Sequence, residues 1–90
     1  MKKRVVVKIF GEVQGIFFRA QTKEEADKLG LVGWVRNEAD GTVMVVAEGE
    51  EKNLEKLIEY CKIGPKFAKV NKVEVKWGEA NGEFKEFVIR

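Results

Sequence analysis

The ninety-residue sequence predicts an α+β sandwich, with two helices on one face of an antiparallel sheet. Three observations predict it. Val5 to Gly11 and Thr42 to Glu48 are β-branched and alternate as half-buried strands do. Two segments instead repeat at helical spacing: Phe18, Thr22, Ala26 and Leu29, then Leu54, Leu57, Ile58 and Cys61. Read in order, the elements run β-α-β-β-α-β with an extra C-terminal strand, the pattern of the ferredoxin-like sandwich.

Each element has its own signals. The first strand spans Val5 to Gly11. The first helix starts at Phe18, which lets that ring join the buried stripe, and Gly30 closes it. A capping box of Thr22 and Glu25 would start the helix later. Leu31 to Arg36 is the second strand, and Asn37-Glu38-Ala39-Asp40-Gly41 is a hairpin turn with Gly41 supplying the positive φ. The third strand runs from Thr42 to Glu48. Asn53 is the expected N-cap of the second helix, with Glu55 in its first turn, and Gly64-Pro65 stops it. Val70, Val73, Val75 and Trp77 mark a fourth strand, Asn81-Gly82 a turn, and Phe84 to Ile89 the last strand. No linker interrupts this order, so residues 1–90 read as one domain.

Composition narrows the function. Seventeen basic against fifteen acidic residues leave a net charge of +2, which makes no case for a nucleic-acid or membrane partner. Lys2-Lys3-Arg4 before Val5-Val6-Val7 faintly resembles a leader peptide, but Lys8 interrupts the apolar run and no small-residue cleavage site follows. One cysteine, Cys61, rules out an internal disulfide and fits a reducing compartment, so a cytoplasmic location is expected. Histidine is absent. That excludes Ser-His and Cys-His nucleophilic machinery and removes the commonest zinc ligand.

The segment Ile9-Phe-Gly-Glu-Val-Gln-Gly-Ile-Phe-Phe-Arg19 leads from a strand, through a loop bracketed by Gly11 and Gly15, to an arginine at a helix start. Glycines let successive backbone N–H groups turn inward, and a helix N-terminus adds more unpaired donors. A guanidinium at the mouth can grip two phosphate oxygens at once. The loop is not a nucleotide P-loop, because no Gly-Lys-Ser/Thr follows it. A second segment, Gly33-Trp34-Val35-Arg36-Asn37 followed by Asp40-Gly41, supplies a side-chain amide beside a turn. Elsewhere the residues read as structural: Cys61 as an inert core thiol, Trp34 and Trp77 as packing in the core or at its rim, and the Lys/Glu clusters as solvated faces.

Together the two segments resemble the signatures of the acylphosphatase family, over essentially the whole chain. The resemblance implies the ferredoxin-like fold and hydrolysis of carboxyl-phosphate anhydrides to a carboxylate and inorganic phosphate. It places the catalytic pair on Arg19 and Asn37, and phosphate binding on the backbone amides of Gln14, Gly15, Ile16, Phe17 and Phe18. No cofactor and no metal are implied. The expected partner is a small acyl phosphate, not a nucleic acid or a membrane, and the chain is expected to act as a monomer. Ile16 stands where the family usually has valine, and Met44 where an acidic residue is frequent. Glu12 puts a carboxylate beside the anion loop. At ~8 Å that charge would cost the phosphate a few tenths to ~2 kcal/mol and raise KM at low salt.

Two binding-module readings compete on the same fold. An RNA reader would display aromatics on its central strands, and Thr42-Val43-Met44-Val45-Val46-Ala47-Glu48 has none. A phosphate- or carbamoyl-binding accessory domain would use the same loop, and only turnover separates it from an enzyme.

Overall fold

The computed structural model describes residues 1–90. Its elements are β1 (Lys2–Glu12), α1 (Phe18–Lys28), β2 (Val32–Asn37), β3 (Val43–Glu50), α2 (Glu51–Ile63), β4 (Lys69–Glu79) and β5 (Phe87–Ile89), in that order. The strands form one sheet in the order β4-β1-β3-β2-β5. Both helices pack on the same face, α1 over β2 and β5, α2 over β1, β3 and β4.

Alternation along β1 and β3 turns Val5, Val7, Ile9, Val43, Val45 and Ala47 toward the helices, and all are fully buried. Leu54, Leu57, Ile58 and Cys61 meet them from α2, and Phe18 and Ala26 from α1. Phe18 lies 6.3 Å from the Tyr60 ring in a tilted pair that joins the two helices. Burial pushes the Cys61 thiol up to about 12, so it stays protonated and inert, and burial likewise raises the Tyr60 hydroxyl to about 12.

Three details depart from the sequence reading, while the start of α1 at Phe18 agrees with it. The first three pairings, β1–β3, β1–β4 and β2–β3, are antiparallel, but β5 runs parallel to β2, so the sheet is mixed. β5 is also shorter than expected, starting at Phe87 rather than Phe84. Helix α2 begins at Glu51 with Glu50 as its N-cap residue, which leaves Asn53 inside the helix and puts Glu51 in the first turn. The cause is β3, which stays paired with β1 as far as Lys2↔Glu50; the N-terminal ammonium, 2.7 Å from the Glu50 carboxylate, holds that carboxyl below its usual range. Thr22 caps nothing, because its buried hydroxyl donates back to the Phe18 carbonyl at 2.7 Å.

Neither tryptophan enters the core. Trp77 is 44% exposed, and Trp34 is half-buried on the face away from the helices, with the guanidinium carbons of Arg36 and Arg90 at 4.6 and 5.1 Å from its ring centroid.

To reach β5 from β4 the chain must pass from one edge of the sheet to the other. That crossing, residues 80–86, is held by a buried carboxylate. Glu48 accepts hydrogen bonds from the amides of Asn81 (3.2 Å) and Gly82 (3.1 Å), with Arg4 Nε 3.7 Å away. Once across, the segment zips onto β2: Gly33 N donates to Glu86 O at 3.0 Å and Arg90 N to Val35 O at 2.8 Å. Because Glu48 is only 3% exposed, its loss would remove the partner of both loop amides and one of the two carboxylates beside Arg4, which keeps Glu83 at 2.9 Å. Glu48→Ala is expected to lower stability by about 2–4 kcal/mol. Urea denaturation measures this, and amide exchange at Gly33 and Arg90 should accelerate before exchange in β1.

Candidate active site

The register of the sheet brings the two motifs to one end of the molecule. Ile9 in β1 pairs with Val43 in β3, and Val43 pairs with Asn37 in β2. The loop that leaves β1 therefore turns over the strand end that carries Asn37. A bulge between Phe10 and Gly11 in the β1–β4 pairing starts that turn. Only glycine fits at position 11, where a Cβ would run into the carbonyl oxygen of Lys69. Gly15 adopts φ 76°, and Phe17, the residue before α1, adopts φ 64° and ψ 17°.

These dihedrals leave the loop's donors unspent. No backbone N–H of Gln14, Gly15, Ile16 or Phe17 donates a hydrogen bond inside the protein, and the first bond of α1 is Gln21 N to Phe17 O at 3.0 Å. Buried backbone donors are nearly always paired, whereas these lie in a loop that faces solvent and a pocket.

The loop is tied to the hairpin by one side chain. Gln14 Nε2 donates to the carbonyls of Glu38 and Thr42, both at 2.9 Å. The hairpin in turn is closed by Asp40, which accepts from the Thr42 hydroxyl (2.6 Å) and amide (3.0 Å) and pairs with Lys8 at 3.1 Å. The Thr42 hydroxyl and amide, with Lys8 behind them, hold the Asp40 carboxyl down to about 2. Gln14 thus makes Asn37 and the loop parts of one rigid unit, a side-chain role that its sequence position does not disclose.

A pocket of about 300 Å³ opens between these parts, lined by Val13, Gly15, Phe17, Phe18, Arg19, Ala20, Asn37 and Ile89. Arg19 forms no ion pair anywhere in the molecule. Asn37 Oδ1 is buried and has no hydrogen-bond partner, alone among the buried side-chain polar atoms. A buried acceptor without a partner is costly in the folded state, and Asn37 carries it on the wall of this pocket. The neighbouring charges stay out of the pocket: Arg36 engages Glu38, and Glu12 does not line the cavity but lies 4.0 Å from Lys69 Nζ on the exposed rim of β4. With that cation beside it, and both groups largely in water, Glu12 opposes an anion less than its sequence position implies.

Of the predicted site residues, the structure gathers Gly15, Phe17, Phe18, Arg19 and Asn37 around the pocket. Gln14 stands behind it as the clamp, and Ile16 is half-buried against the core. Ile89 was missed. Its signal is long-range, because parallel pairing opposite Val35 is what brings it to this end of the sheet.

An α+β sandwich that gathers unpaired loop amides, a free guanidinium and Asn37 around one pocket is suited to taking up an anion. Comparison with known proteins makes the class specific. The acylphosphatase family model matches residues 5–89. The chain is 44% identical over 88 residues to an acylphosphatase of Pelotomaculum thermopropionicum, covering 98% of this chain and 96% of that one. It is 49% identical over 87 residues to one from Pyrobaculum aerophilum, covering 96% and 92%. The crystal structure of acylphosphatase from Bacillus subtilis superposes with a TM-score of 0.92 at 37% identity, covering 100% of this chain and 99% of that one. The chain belongs to the acylphosphatase family and is an acyl-phosphate hydrolase. None of its helices is long and apolar enough to cross a membrane.

Proposed function

We propose that residues 1–90 act as one catalytic domain that hydrolyses acyl phosphates without a metal, with Arg19 and the loop amides holding the phosphoryl group and Asn37 placing the water. The observation that carries this reading is the single pocket shared by an unpaired guanidinium, unspent backbone donors and the orphaned Asn37 oxygen.

The amides of Gln14 to Phe18 and the Arg19 fork take the three phosphoryl oxygens, on which charge is spread in a loose transition state. Asn37 Oδ1 accepts a hydrogen bond from a water, whose O–H stays intact, and aims the water oxygen at phosphorus, opposite the bond to the acyl oxygen. The new P–O bond forms as the old one breaks, and its electron pair leaves on the carboxylate. The water's other proton passes to a phosphoryl oxygen of the substrate. The carboxylate is already a good leaving group, so neither a general acid nor a Lewis acid is required. The partner is then a small acyl phosphate alone, consistent with a protein that works as a cytoplasmic monomer.

Phosphate release from acetyl, benzoyl and carbamoyl phosphate in EDTA tests the reading. Turnover should persist with the chelator, and simple phosphomonoesters should not be cleaved. A chain that binds phosphate but turns over none of the three would be an accessory domain instead.

The pH profile is a second test. The proposed mechanism uses no side chain as a proton donor or acceptor, so kcat should be nearly flat between pH 5 and 8 once substrate ionisation is allowed for. A bell with limbs near 5 and 7 would assign the work to carboxylates. The hairpin does not limit this range. The Asp40 carboxyl is lowered in the folded state, so its contribution to stability is fully present above pH ~4 and is lost only as pH falls toward about 2.

A further inference from the structure

We propose that Phe17 and Ile89 form an acyl-group subsite beside the phosphate cradle, selecting substrates whose acyl group is aromatic or branched and apolar. This rests on the acyl-phosphate reading above and adds the substrate class to it.

Three independent features of Phe17 converge. It is the only residue other than glycine with a positive φ, at 64°. A bulky aromatic rarely sits in that region, and backbone strain of this kind gathers at ligand sites. The ring is 80% exposed, although Phe18 beside it is buried to 2%. Yet Phe17 lines the same pocket as Arg19 and Asn37. The chain thus holds a large apolar ring at the mouth of an anion site instead of folding it into the core.

Ile89 is the counterpart from the other wall. It is 42% exposed, and its place opposite Val35 in the parallel β5–β2 pair puts it beside Asn37. Val13 and Ala20 add to the apolar lining. Apart from Arg19 and Asn37, which the phosphoryl group and the water engage, no charged or amide side chain lines the cavity, so an acyl group bearing charge or several hydroxyls would find few partners there. At about 300 Å³ the cavity is at the small end of ligand sites, enough for a phosphate and one compact acyl group. Arg19 and the amides take the phosphoryl end of every substrate alike, so discrimination between substrates falls on the apolar walls.

The test compares kcat/KM for benzoyl phosphate and acetyl phosphate in the wild type, Phe17→Gly, Phe17→Leu and Ile89→Ala. Glycine accepts the left-handed backbone while removing the ring. Any disturbance of the cradle falls on both substrates and cancels in their ratio. The wild type should prefer benzoyl phosphate. Phe17→Gly should lower the benzoyl-to-acetyl ratio about tenfold, equivalent to about 1.4 kcal/mol. Phe17→Leu should recover most of it, and Ile89→Ala should lower it about threefold. A ratio that stays constant across all four proteins overturns the subsite. Calorimetry with phenylphosphonate and methylphosphonate gives a readout free of turnover. Preference for the phenyl compound, lost in Phe17→Gly, upholds the subsite even if no acyl phosphate is hydrolysed, and that combination would instead refute the hydrolytic role.

Discussion

Arg19→Lys is expected to lower kcat/KM for acetyl phosphate by about 30- to 150-fold, or about 2–3 kcal/mol of transition-state stabilisation. The positive charge survives this exchange. What is lost is the planar fork that meets two phosphoryl oxygens together, and a single ammonium on a flexible stem cannot replace it. The guanidinium starts with no internal carboxylate to hold it, so its whole hydrogen-bonding capacity is open to substrate. Arg19→Ala should fall further and should also weaken competitive inhibition by inorganic phosphate. Steady-state kinetics with phosphate as inhibitor measures both. An Arg19→Lys enzyme within threefold of the wild type would mean that charge alone, not the fork, serves the reaction.

Asn37→Ala should behave differently. Here kcat should drop about 100- to 1000-fold, the cost of losing one well-placed polar contact to the reacting atoms. The phosphate inhibition constant should change little, because the cradle is built from the other segment. Stability should hold or rise. The Asn37 oxygen is buried without a partner, and such a group costs about 1–3 kcal/mol in the folded state. Thermal denaturation of the variant tests this directly. Loss of phosphate binding together with turnover would show that Asn37 belongs to the cradle, and a melting temperature lower by several degrees would show that it supports the hairpin.

Much of this was legible from residues close together in the sequence. Val5, Val7 and Ile9 announce a strand with one buried face, and Leu54, Leu57, Ile58 and Cys61 a helix stripe, because each pattern is set by the local period of the backbone. The loop from Gly11 to Arg19 was readable for the same reason: its glycines, its amides and its helix start are neighbours. The features that escaped are made by distant partners. Nothing local says that Phe87 to Ile89 will lie parallel to β2, because that depends on a crossing anchored by Glu48, which in sequence is one more glutamate in a strand. The start of α2 at Glu51 depends on a β1 pairing that outlasts the expected strand end. Gln14 could be named as a backbone donor, yet its side-chain clamp required knowing that residues 38 and 42 stand opposite it. Glu12 looked troublesome only while its neighbour Lys69 was fifty-seven positions away in the chain and not across the strand.

The mixed sheet also decides how one molecule treats another. Strand pairs with free edges invite further strands, and the sheet's most β-branched members, β1 and β3, would be the most inviting. Both lie inside, shielded on each side by partners. What remains at one rim is β4, studded with Lys69, Lys72 and Lys76, and at the other only the three residues of β5. Lysines along one border and a three-residue stub at the other are features that discourage the addition of a further strand. The same final strand that carries Ile89 to the pocket therefore also covers the β2 edge along Gly33, Trp34 and Val35.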